Sequence, residues 1–285
     1  MEPPYLLVMV FLFVMKIIIQ KQNFAGLLPH LGATLSYLHM TIYNEMSRIT
    51  PITWSLEIEI QFYLLAPFLA VIYRLSKLLR RVLLSVSIVV LPLFQHLFGF
   101  SRYTFLGTIQ YFLIGFILVD LYLCQDKVRI RKEIIKPLGG IILLLLILVK
   151  SDDLWKTSFY PLLIIAFYYI VLNTEFWKKI FQNKFLTSIG GMCYSIYLLH
   201  FAVTSFVGMK SFSLKVTNSY FLNILAQISI HLPIILLISA AYYLTIEKPC
   251  MDPDWPRQFI KFTSELWSSI VKDIVARRCP KEKAG

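Results

Sequence analysis

The sequence has 285 residues, of which 58% are hydrophobic and 15% are charged, and its mean hydropathy is +0.68. A soluble domain carries about 25% charged residues, so this composition excludes a soluble globule and a disordered chain and predicts a polytopic membrane protein. What the formal charge of +12 indicates depends on where the Lys and Arg residues lie along the chain.

Apolar stretches recur along the chain, and a helix that crosses a bilayer needs roughly 17–25 residues. We predict an all-α, polytopic membrane bundle with about eight transmembrane helices, near residues 5–20, 56–73, 82–98, 104–124, 134–149, 158–173, 187–208 and 221–246. Residues 22–53 are predicted to form one long outer loop.

The positions of the basic residues give the orientation of these spans. Eight spans divide the loops into two sets, one on the same side as the termini and one on the opposite side. The first set, together with the C-terminal tail, holds 20 of the 28 Lys and Arg residues, and the second set holds 7. Lys and Arg are enriched in cytoplasmic loops, so both termini are predicted to be cytoplasmic. The positive charge then reflects topology, and no nucleic-acid partner is expected.

The chain is predicted to divide into a membrane domain over residues 1–250 and a basic amphipathic cytoplasmic tail over residues 251–285. A turn-rich break at residues 252–256 precedes apolar residues at helical spacing, namely Phe259, Phe262, Leu266, Ile270 and Ile274. This pattern is typical of a helix that lies on the inner leaflet, and packing on the protein's own loops is the alternative. The four cysteines show no metal-binding spacing, so no metal site is expected.

Two glutamates lie near the outer end of the second predicted span. Residues four apart share a helical face, so Ser55, Glu59 and Tyr63 form one polar stripe, whereas Glu57 lies about 200° around the helix from Glu59. We predict that Glu59 faces the bundle interior, where an ionisable group is a functional candidate. Pairing of Glu59 with an arginine is the structural alternative, and Glu57 is expected to be a solvated interfacial charge.

A second polar stripe lies in the seventh predicted span, where Cys193, Tyr197, His200 and Thr204 share one face. A histidine within a span can bind substrate, transfer protons or simply hydrogen-bond a neighbouring helix. The sequence leaves these roles open for His200.

Other polar residues within spans are explained by structure. Asn223, Gln227 and His231 form a stripe in the last span; hydrogen bonds between helices explain it adequately, and a functional role is the alternative. Asp120 is expected to be an isolated interfacial charge near the end of its span.

Three segments carry a resemblance to a known family. Trp54-Ser55-Leu56 with Glu59, Phe62-Tyr63-Leu64 and Pro67 matches W-S-L-x-x-E-x-x-F-Y-L-x-x-P, residues 194–201 resemble S-Y-x-x-Y-L-x-H-x-x, and Glu247-Lys248-Pro249 resembles a terminal E-[RK]-P. Together, and in this order, the segments resemble the acyltransferase-3 family of integral-membrane O-acyltransferases.

The resemblance implies a membrane-bound enzyme that moves an acyl group, expected to be acetyl, from cytoplasmic acyl-CoA to a hydroxyl of a surface glycan or other exported acceptor. The expected partners are the bilayer of the cell membrane, acyl-CoA and a glycan or lipid-linked acceptor, with no tightly bound cofactor. Glu59 and His200 are expected to be catalytic. Acceptor binding is expected from Trp54, Ser55, Tyr63, Tyr194, Tyr197 and Glu247.

The start of the sequence departs from the family pattern. Family members have further N-terminal spans with a histidine and an R-x-x-R pair, whereas this sequence starts near Pro3-Pro4-Tyr5-Leu6-Leu7, which resembles the P-x-Y-x-L segment that follows them. We therefore expect these 285 residues to have little or no acyltransferase activity by themselves. A glycan or small-molecule transporter and a non-catalytic family member are the alternatives, and dependence on acyl-CoA would distinguish them.

Overall fold

A computed structural model describes residues 2–101, 103–123, 132–148, 154–213 and 216–257. In these ranges the chain forms helices and no strand, which confirms the predicted all-α class. The helices are α1 (Glu2–Gln20), α2 (Phe24–Leu35), α3 (His39–Tyr43), α4 (Thr53–Leu69), α5 (Lys77–Phe98), α6 (Phe105–Leu123), α7 (Lys132–Leu148), α8 (Leu154–Asn173), α9 (Glu175–Phe181), α10 (Lys184–Gly191), α11 (Cys193–Ser211), α12 (Tyr220–Tyr242) and α13 (Lys248–Cys250). A 3-10 segment (Ala70–Arg74) extends α4, and a π-helical segment (Tyr243–Glu247) joins α12 to α13.

Several helices have the length and composition of membrane spans. Among the described residues, five stretches qualify, namely Pro3–Gln20, Thr53–Arg74, Lys77–Phe98, Phe105–Leu123 and Tyr220–Cys250, and seven if each of two interrupted helix pairs is one span. The span predicted near residues 134–149 corresponds to a shorter apolar helix, Pro137–Leu148. The helices are those of a membrane bundle, while the count of eight and the cytoplasmic termini stay predictions.

Two predicted spans differ from straight helices. The stretch predicted near residues 187–208 is interrupted at Met192, whose φ of −106° and ψ of 19° are not helical. Gly190 and Gly191 immediately precede it, and glycine weakens a helix because it loses the most backbone freedom on ordering. The stretch near residues 158–173 is continuous, but the chain then bends by 94° into α9 at Thr174.

The predicted outer loop over residues 22–53 contains two helices, α2 and α3, which the sequence did not predict, and its position outside the membrane stays a prediction. Asn23 caps α2, since its side chain accepts a hydrogen bond from the Ala25 amide at 3.0 Å, and asparagine is a favoured N-cap residue. Both helices are too short to cross a bilayer, so a search for spans passes over them. They nevertheless bury side chains, including Leu27 at 3% and Thr34 at 1% exposure.

The described residues form two compact units. The terminal unit comprises residues 2–12 and 192–257, and the central unit comprises described residues between 13 and 191.

In the central unit, α5 and α6 pack as an antiparallel pair. Their shared core consists of Leu84, Ile88, Leu113, Ile114 and Ile117, each less than 9% exposed. At one end of the pair, Gln95 donates hydrogen bonds to Gln110 Oε1 at 2.7 Å and to the Leu106 carbonyl at 2.6 Å. Gly99 ends α5 with a φ of 65°, a conformation that favours glycine.

The other end of the α5–α6 pair is held by charge. Asp120 is 1% exposed, Arg80 donates to its Oδ1 through Nε at 2.7 Å, and Arg81 donates to Oδ2 through Nε at 2.5 Å. The expectation of an isolated interfacial Asp120 is therefore wrong. A carboxylate removed from water needs such partners, because an unpaired buried charge is very costly.

In the terminal unit, the third polar stripe joins α11 to α12. Gln227 donates to the Ser211 carbonyl at 2.6 Å, and the His231 Nε2 atom lies 3.4 Å from the Ser211 hydroxyl. Asn223 accepts hydrogen bonds from the amides of Val216 and Thr217. These contacts are the structural hydrogen bonds that the sequence pattern predicts.

The start of α1 also packs in the terminal unit. Tyr5 and Met9 are fully buried, and the Tyr242 hydroxyl donates to the Pro4 carbonyl at 2.5 Å. This bond ties the first turn of α1 to the end of α12.

Candidate functional site

Helix α4 carries the first signature segment, in the central unit. Trp54 and Ser55 lie in its first turn and are half-buried. The Trp54 ring meets Tyr103 edge to face, with ring centroids 5.1 Å apart, which fixes the indole at the start of the helix. Acceptor binding by Trp54 and Ser55 stays a prediction.

Glu57 is buried, which overturns the expectation of a solvated charge. Its side chain is 3% exposed, and its carboxylate accepts hydrogen bonds from the amides of Met40 at 2.8 Å and Thr41 at 2.9 Å and from the Thr41 hydroxyl at 2.7 Å. Leu38, the N-cap residue of α3, provides no side-chain cap. Glu57 therefore caps α3, where the first amides have no partner within the helix.

Glu59 and Tyr63 form the pair that the helical spacing predicts. The Tyr63 hydroxyl donates to Glu59 Oε1, one turn away on α4. Glu59 is half-buried, so Glu57 rather than Glu59 is the more deeply enclosed of the two carboxylates. Tyr63 is 58% exposed, so the Glu59–Tyr63 pair is accessible at the protein surface.

A pair of buried histidines, in the segment predicted to be an outer loop, lies beside the Glu57 cap. His30 on α2 is 7% exposed and His39 on α3 is 2% exposed, and His30 Nδ1 lies 2.9 Å from His39 Nε2. Both rings pack on Tyr43, with centroids 4.4 Å and 4.9 Å away. The two histidines are nine residues apart, a spacing without a helical or strand period, so no local signal identifies the pair.

The hydrogen bonds of the pair assign its protons. The Glu45 carbonyl lies 3.1 Å from His39 Nδ1 and can only accept, so His39 carries its proton on Nδ1 and its Nε2 accepts. His30 then donates through Nδ1 to His39, which leaves His30 Nε2 as the basic nitrogen of the neutral pair.

The surroundings of His30 disfavour the protonated form of its ring. Burial lowers the pKa of His30 below its ordinary value, the charge of Arg48 lowers this pKa further, and His39 does so when it is itself protonated. Glu45 opposes them by raising the same pKa.

The central unit also contains a cavity. Its volume is about 410 Å³, and it is lined by Lys16, Gln22, Asn23, Gly26, Leu27 and Arg48. Lys16 donates to the Arg48 carbonyl at 2.5 Å, which joins α1 to the segment before α4. Four of the six lining residues are polar, and two of these, Lys16 and Arg48, are cationic.

The second signature segment lies on α11 in the terminal unit. His200 Nδ1 lies 2.7 Å from the Tyr197 carbonyl and 3.2 Å from the Ile196 carbonyl, and its ring is 5.9 Å from that of Tyr197. Because carbonyls only accept, Nδ1 is protonated and Nε2 is the basic nitrogen. His200, Tyr194 and Tyr197 are all half-buried.

The third signature segment contributes a buried carboxylate to the terminal unit. Glu247 is 6% exposed and ends the π-helical segment, and it accepts a hydrogen bond from the Ser195 hydroxyl, which is fully buried. Single π-helical turns occur frequently at functional sites. The bond joins the second and third signature segments, because Ser195 and Glu247 are 52 positions apart in the sequence but adjacent in the structure.

The described residues include no group of three or more His, Cys, Asp or Glu side chains that could hold a metal ion.

A family model described as an acyltransferase domain, acyltransferase-3, matches residues 3–244. The chain belongs to the acyltransferase-3 family. Curated relatives include proteins of Staphylococcus aureus strains COL and MSSA476 that carry the name "Putative O-acetyltransferase", each 33% identical over 190 residues. The match covers 58% of this chain and 32% of each relative, so the chain spans about a third of the length of these relatives. No solved structure gives a significant match.

The acyltransferase-3 family is embedded in membranes, in agreement with the apolar helices of this chain. The structure groups the predicted site residues of this acyltransferase-3 protein in two sets. Trp54, Ser55, Glu59 and Tyr63 lie in the central unit, and Tyr194, Tyr197, His200 and Glu247 lie in the terminal unit. A common cavity for Glu59 and His200 stays a prediction.

Proposed function

We propose that the protein is an O-acetyltransferase of the cell membrane that moves an acetyl group from cytoplasmic acyl-CoA to a hydroxyl of a surface glycan or another exported acceptor. Membership of the acyltransferase-3 family and the names of the relatives support acyl transfer. The basic loops, predicted to be cytoplasmic, would attract the phosphates of CoA.

The geometric observation that carries the proposal is the tautomer of His200. In the reaction, the acceptor oxygen bonds to the thioester carbonyl carbon, the C–S bond breaks, the hydroxyl loses its proton and the departing thiolate gains one. Proton-transfer groups are therefore needed, and an unprotonated imidazole nitrogen within a bundle is suited to this chemistry. His200 Nε2 is such a nitrogen, because Nδ1 is held by the Tyr197 carbonyl.

In this proposal, Glu59 binds the acceptor. A carboxylate accepts hydrogen bonds from sugar hydroxyls, and Tyr63 holds the Glu59 carboxylate in place one helical turn away. Tyr194, Tyr197, Trp54 and Ser55 supply further polar and aromatic surface for an acceptor, and Glu247 orders the second signature segment through Ser195.

Transfer can be measured in membranes from cells that express these 285 residues preceded by the family's N-terminal spans, because the 285 residues by themselves are expected to have little or no activity. The membranes are supplied with acetyl-CoA labelled in its acetyl group, and base-labile label is recovered from the polysaccharide fraction. We expect label to depend on the protein and on the CoA thioester. Glycan movement across the membrane without such label would support a transporter instead.

The role of Glu59 is tested in the same assay. Glu59→Gln should lower transfer at least about tenfold at unchanged membrane abundance, because an amide is a weaker acceptor than a carboxylate. The matched control is Glu175→Gln, since Glu175 is 72% exposed on α9 and should tolerate the change. Equal transfer by Glu59→Gln and the parent protein would refute the role of Glu59.

A further inference from the structure

The cavity of the central unit brings together two cationic residues that the proposed acyl transfer does not use. Lys16 lines it from α1 and Arg48 from the segment before α4, and Lys16 Nζ donates to the Arg48 carbonyl at 2.5 Å. This bond uses one of the three N–H groups of the ammonium, so Lys16 can still donate to a ligand. Two like charges at one cavity repel each other, and an anion bound there would offset this repulsion.

The Arg48 side chain pairs with a carboxylate and keeps further donors. Arg48 Nε lies 3.2 Å from Glu45 Oε1, and the two side chains are 59% and 46% exposed. Because this bond uses Nε, the terminal nitrogens of the guanidinium can donate to a ligand, and their planar arrangement matches the oxygens of a phosphate or carboxylate. Glu45 offsets one of the two positive charges, so Lys16, Arg48 and Glu45 together carry a net charge of +1.

Two amide side chains, those of Gln22 and Asn23, complete the polar lining. The chain turns at the end of α1, where Lys21 has a φ of 52° and the Gln22 amide donates to the Lys16 carbonyl at 3.3 Å. This turn places Gln22 beside Lys16. Asn23 Oδ1 accepts from the Ala25 amide, so its Nδ2 is the atom that can donate to a ligand. All four polar side chains of the lining therefore offer N–H donors, as an anion requires.

The cavity lies near the end of an apolar helix that is long enough to cross a membrane, Pro3–Gln20. Lys16 is four residues before Gln20, which is about 6 Å along the helix axis. A lysine near the end of a span extends its ammonium group to the polar interface, the layer that contains the phosphates of the lipid headgroups. The predicted orientation puts this end of α1 on the outer side of the membrane.

We propose that the cavity binds a phosphate ester at the membrane surface, carried by a phospholipid headgroup or by a soluble phosphorylated polyol. Lys16 and Arg48 bind the charged phosphate oxygens, and the two amides donate to the neighbouring ester or hydroxyl oxygens. A phosphate suits the site better than a carboxylate because it presents more oxygens to two cations and two amides. The volume of about 410 Å³ lies within the range of about 300–1,000 Å³ that is usual for ligand pockets. This binding does not depend on acyl transfer.

Binding can be measured with the 285-residue protein purified in a neutral detergent, since no transfer activity is needed. The lipid probe is dioctanoyl phosphatidylglycerol, its phosphate-free counterpart is dioctanoylglycerol, and the soluble probe is glycerol phosphate. The rise of the thermal unfolding midpoint with probe concentration gives the affinity, because a ligand of the folded state stabilises it by mass action. Binding of the phosphate probes should weaken as salt is added, because Arg48 is exposed and its charge is screened.

The first variant is Arg48→Gln. It removes the guanidinium but keeps the backbone carbonyl to which Lys16 donates, and an exposed position should tolerate the change. We expect phosphatidylglycerol to bind about tenfold more weakly, the usual loss of one hydrogen bond to a charged group. Arg48→Lys should retain part of the affinity, because it keeps the charge but not the planar arrangement of donors.

The matched control is Arg257→Gln. Arg257 pairs with Asp254 three residues earlier, as Arg48 pairs with Glu45, and it is 90% exposed and does not line the cavity. This variant should bind both phosphate probes like the parent protein. Lys16→Gln covers the case in which Arg48→Gln does not accumulate, since it removes the other cationic group, and it should weaken binding to a similar extent.

The same variants distinguish the two sources of the phosphate. Binding of phosphatidylglycerol alone, weakened in the variants, identifies a phospholipid headgroup; binding of glycerol phosphate alone identifies a soluble ester; and binding of both identifies the phosphate group as sufficient. Each of these results supports the site. The proposal is overturned if neither phosphate probe binds, or if dioctanoylglycerol or the carboxylate sugar glucuronate binds as tightly as the phosphate probes. A loss smaller than about threefold in both Arg48→Gln and Lys16→Gln also overturns it.

Discussion

At the scale of single residues, the burial of the two glutamates of α4 differs from the prediction, because Glu57 is buried and Glu59 is only half-buried. Helical geometry places Glu57 and Glu59 on different faces but does not say which face is enclosed. The structure encloses Glu57 because α3, seventeen residues earlier, presents its free amides to it. Glu59 has a local partner, Tyr63, and remains half-buried.

Glu57→Gln should therefore destabilise the protein more than Glu59→Gln does. The glutamine has one acceptor oxygen in place of two, so an amide of α3 would face an NH₂ group, and a buried unsatisfied donor costs about 1–3 kcal/mol. Thermal unfolding in detergent should show a clear fall in midpoint for Glu57→Gln and a smaller change for Glu59→Gln. Equal midpoints for the two variants would contradict the capping role of Glu57.

His30 gives the protein a pH-dependent stability. Its pKa in the folded protein is lowered by burial, Arg48 and His39, so the unfolded chain takes up a proton more readily than the folded protein. Stability is therefore fully present above the unfolded value of about 6.5 and falls as the pH drops from there to the folded-state pKa. The midpoint of thermal unfolding should decrease over this pH range in the parent protein and decrease less in His30→Asn. The same pH dependence of the midpoint in both proteins would contradict this role of His30.

At the scale of helices, close packing depends on residues without side chains. Gly139 on α7 lies against Trp177 of α9, and an added Cβ would come within 2.5 Å of Trp177 Nε1 and 3.1 Å of Ile170 Cγ2. Trp177 is 9% exposed, so its ring has little room to move. The bend at Thr174 places α9 against α7, and Gly139 makes that approach possible.

Gly139→Ala should lower stability by about 1–3 kcal/mol, the usual cost of overpacking a filled site. Gly115→Ala is the matched control, because Gly115 lies in α6 with nothing within 4 Å of an added Cβ. Alanine favours a helix by about 0.5–1 kcal/mol over glycine, so the control should be neutral or stabilising. Thermal midpoints in detergent measure both, and a stabilised Gly139→Ala would show that α7 does not pack against Trp177.

At the scale of the whole molecule, the apolar helices and the distribution of basic residues describe a membrane protein with a preferred orientation. Many apolar side chains on these helices are exposed, for example Leu97 at 79% and Phe68 at 74%. Such surfaces suit contact with lipid tails, which are as apolar as the side chains. The charge split of 20 to 7 predicts the direction of insertion.

Cysteine labelling tests this orientation. In a variant without its native cysteines, single cysteines after residues 78, 130, 180 and 280 should react only from the cytoplasmic side. Cysteines after residues 44 and 213 should react from outside, as controls. Reaction from outside at any two of the first four positions would contradict eight spans with cytoplasmic termini.

Local geometry could be predicted from the sequence. Composition and span length determine an all-α membrane protein, and the order of three signature segments identifies its family. The Glu59–Tyr63 contact also follows from the sequence, because residues four apart on a helix must be neighbours. The predicted amphipathic helix over residues 259–274 lies outside the described residues, which end at residue 257.

The tertiary structure decided which polar groups meet. The pairs His30–His39, Glu57–Thr41 and Arg80–Asp120 join residues 9, 16 and 40 positions apart, none of them neighbours within one helix. Their meeting depends on where short helices dock and how neighbouring helices align, and no local period of the sequence encodes this. Burial makes these contacts necessary, because an ionisable group removed from water must have a partner or lose its charge.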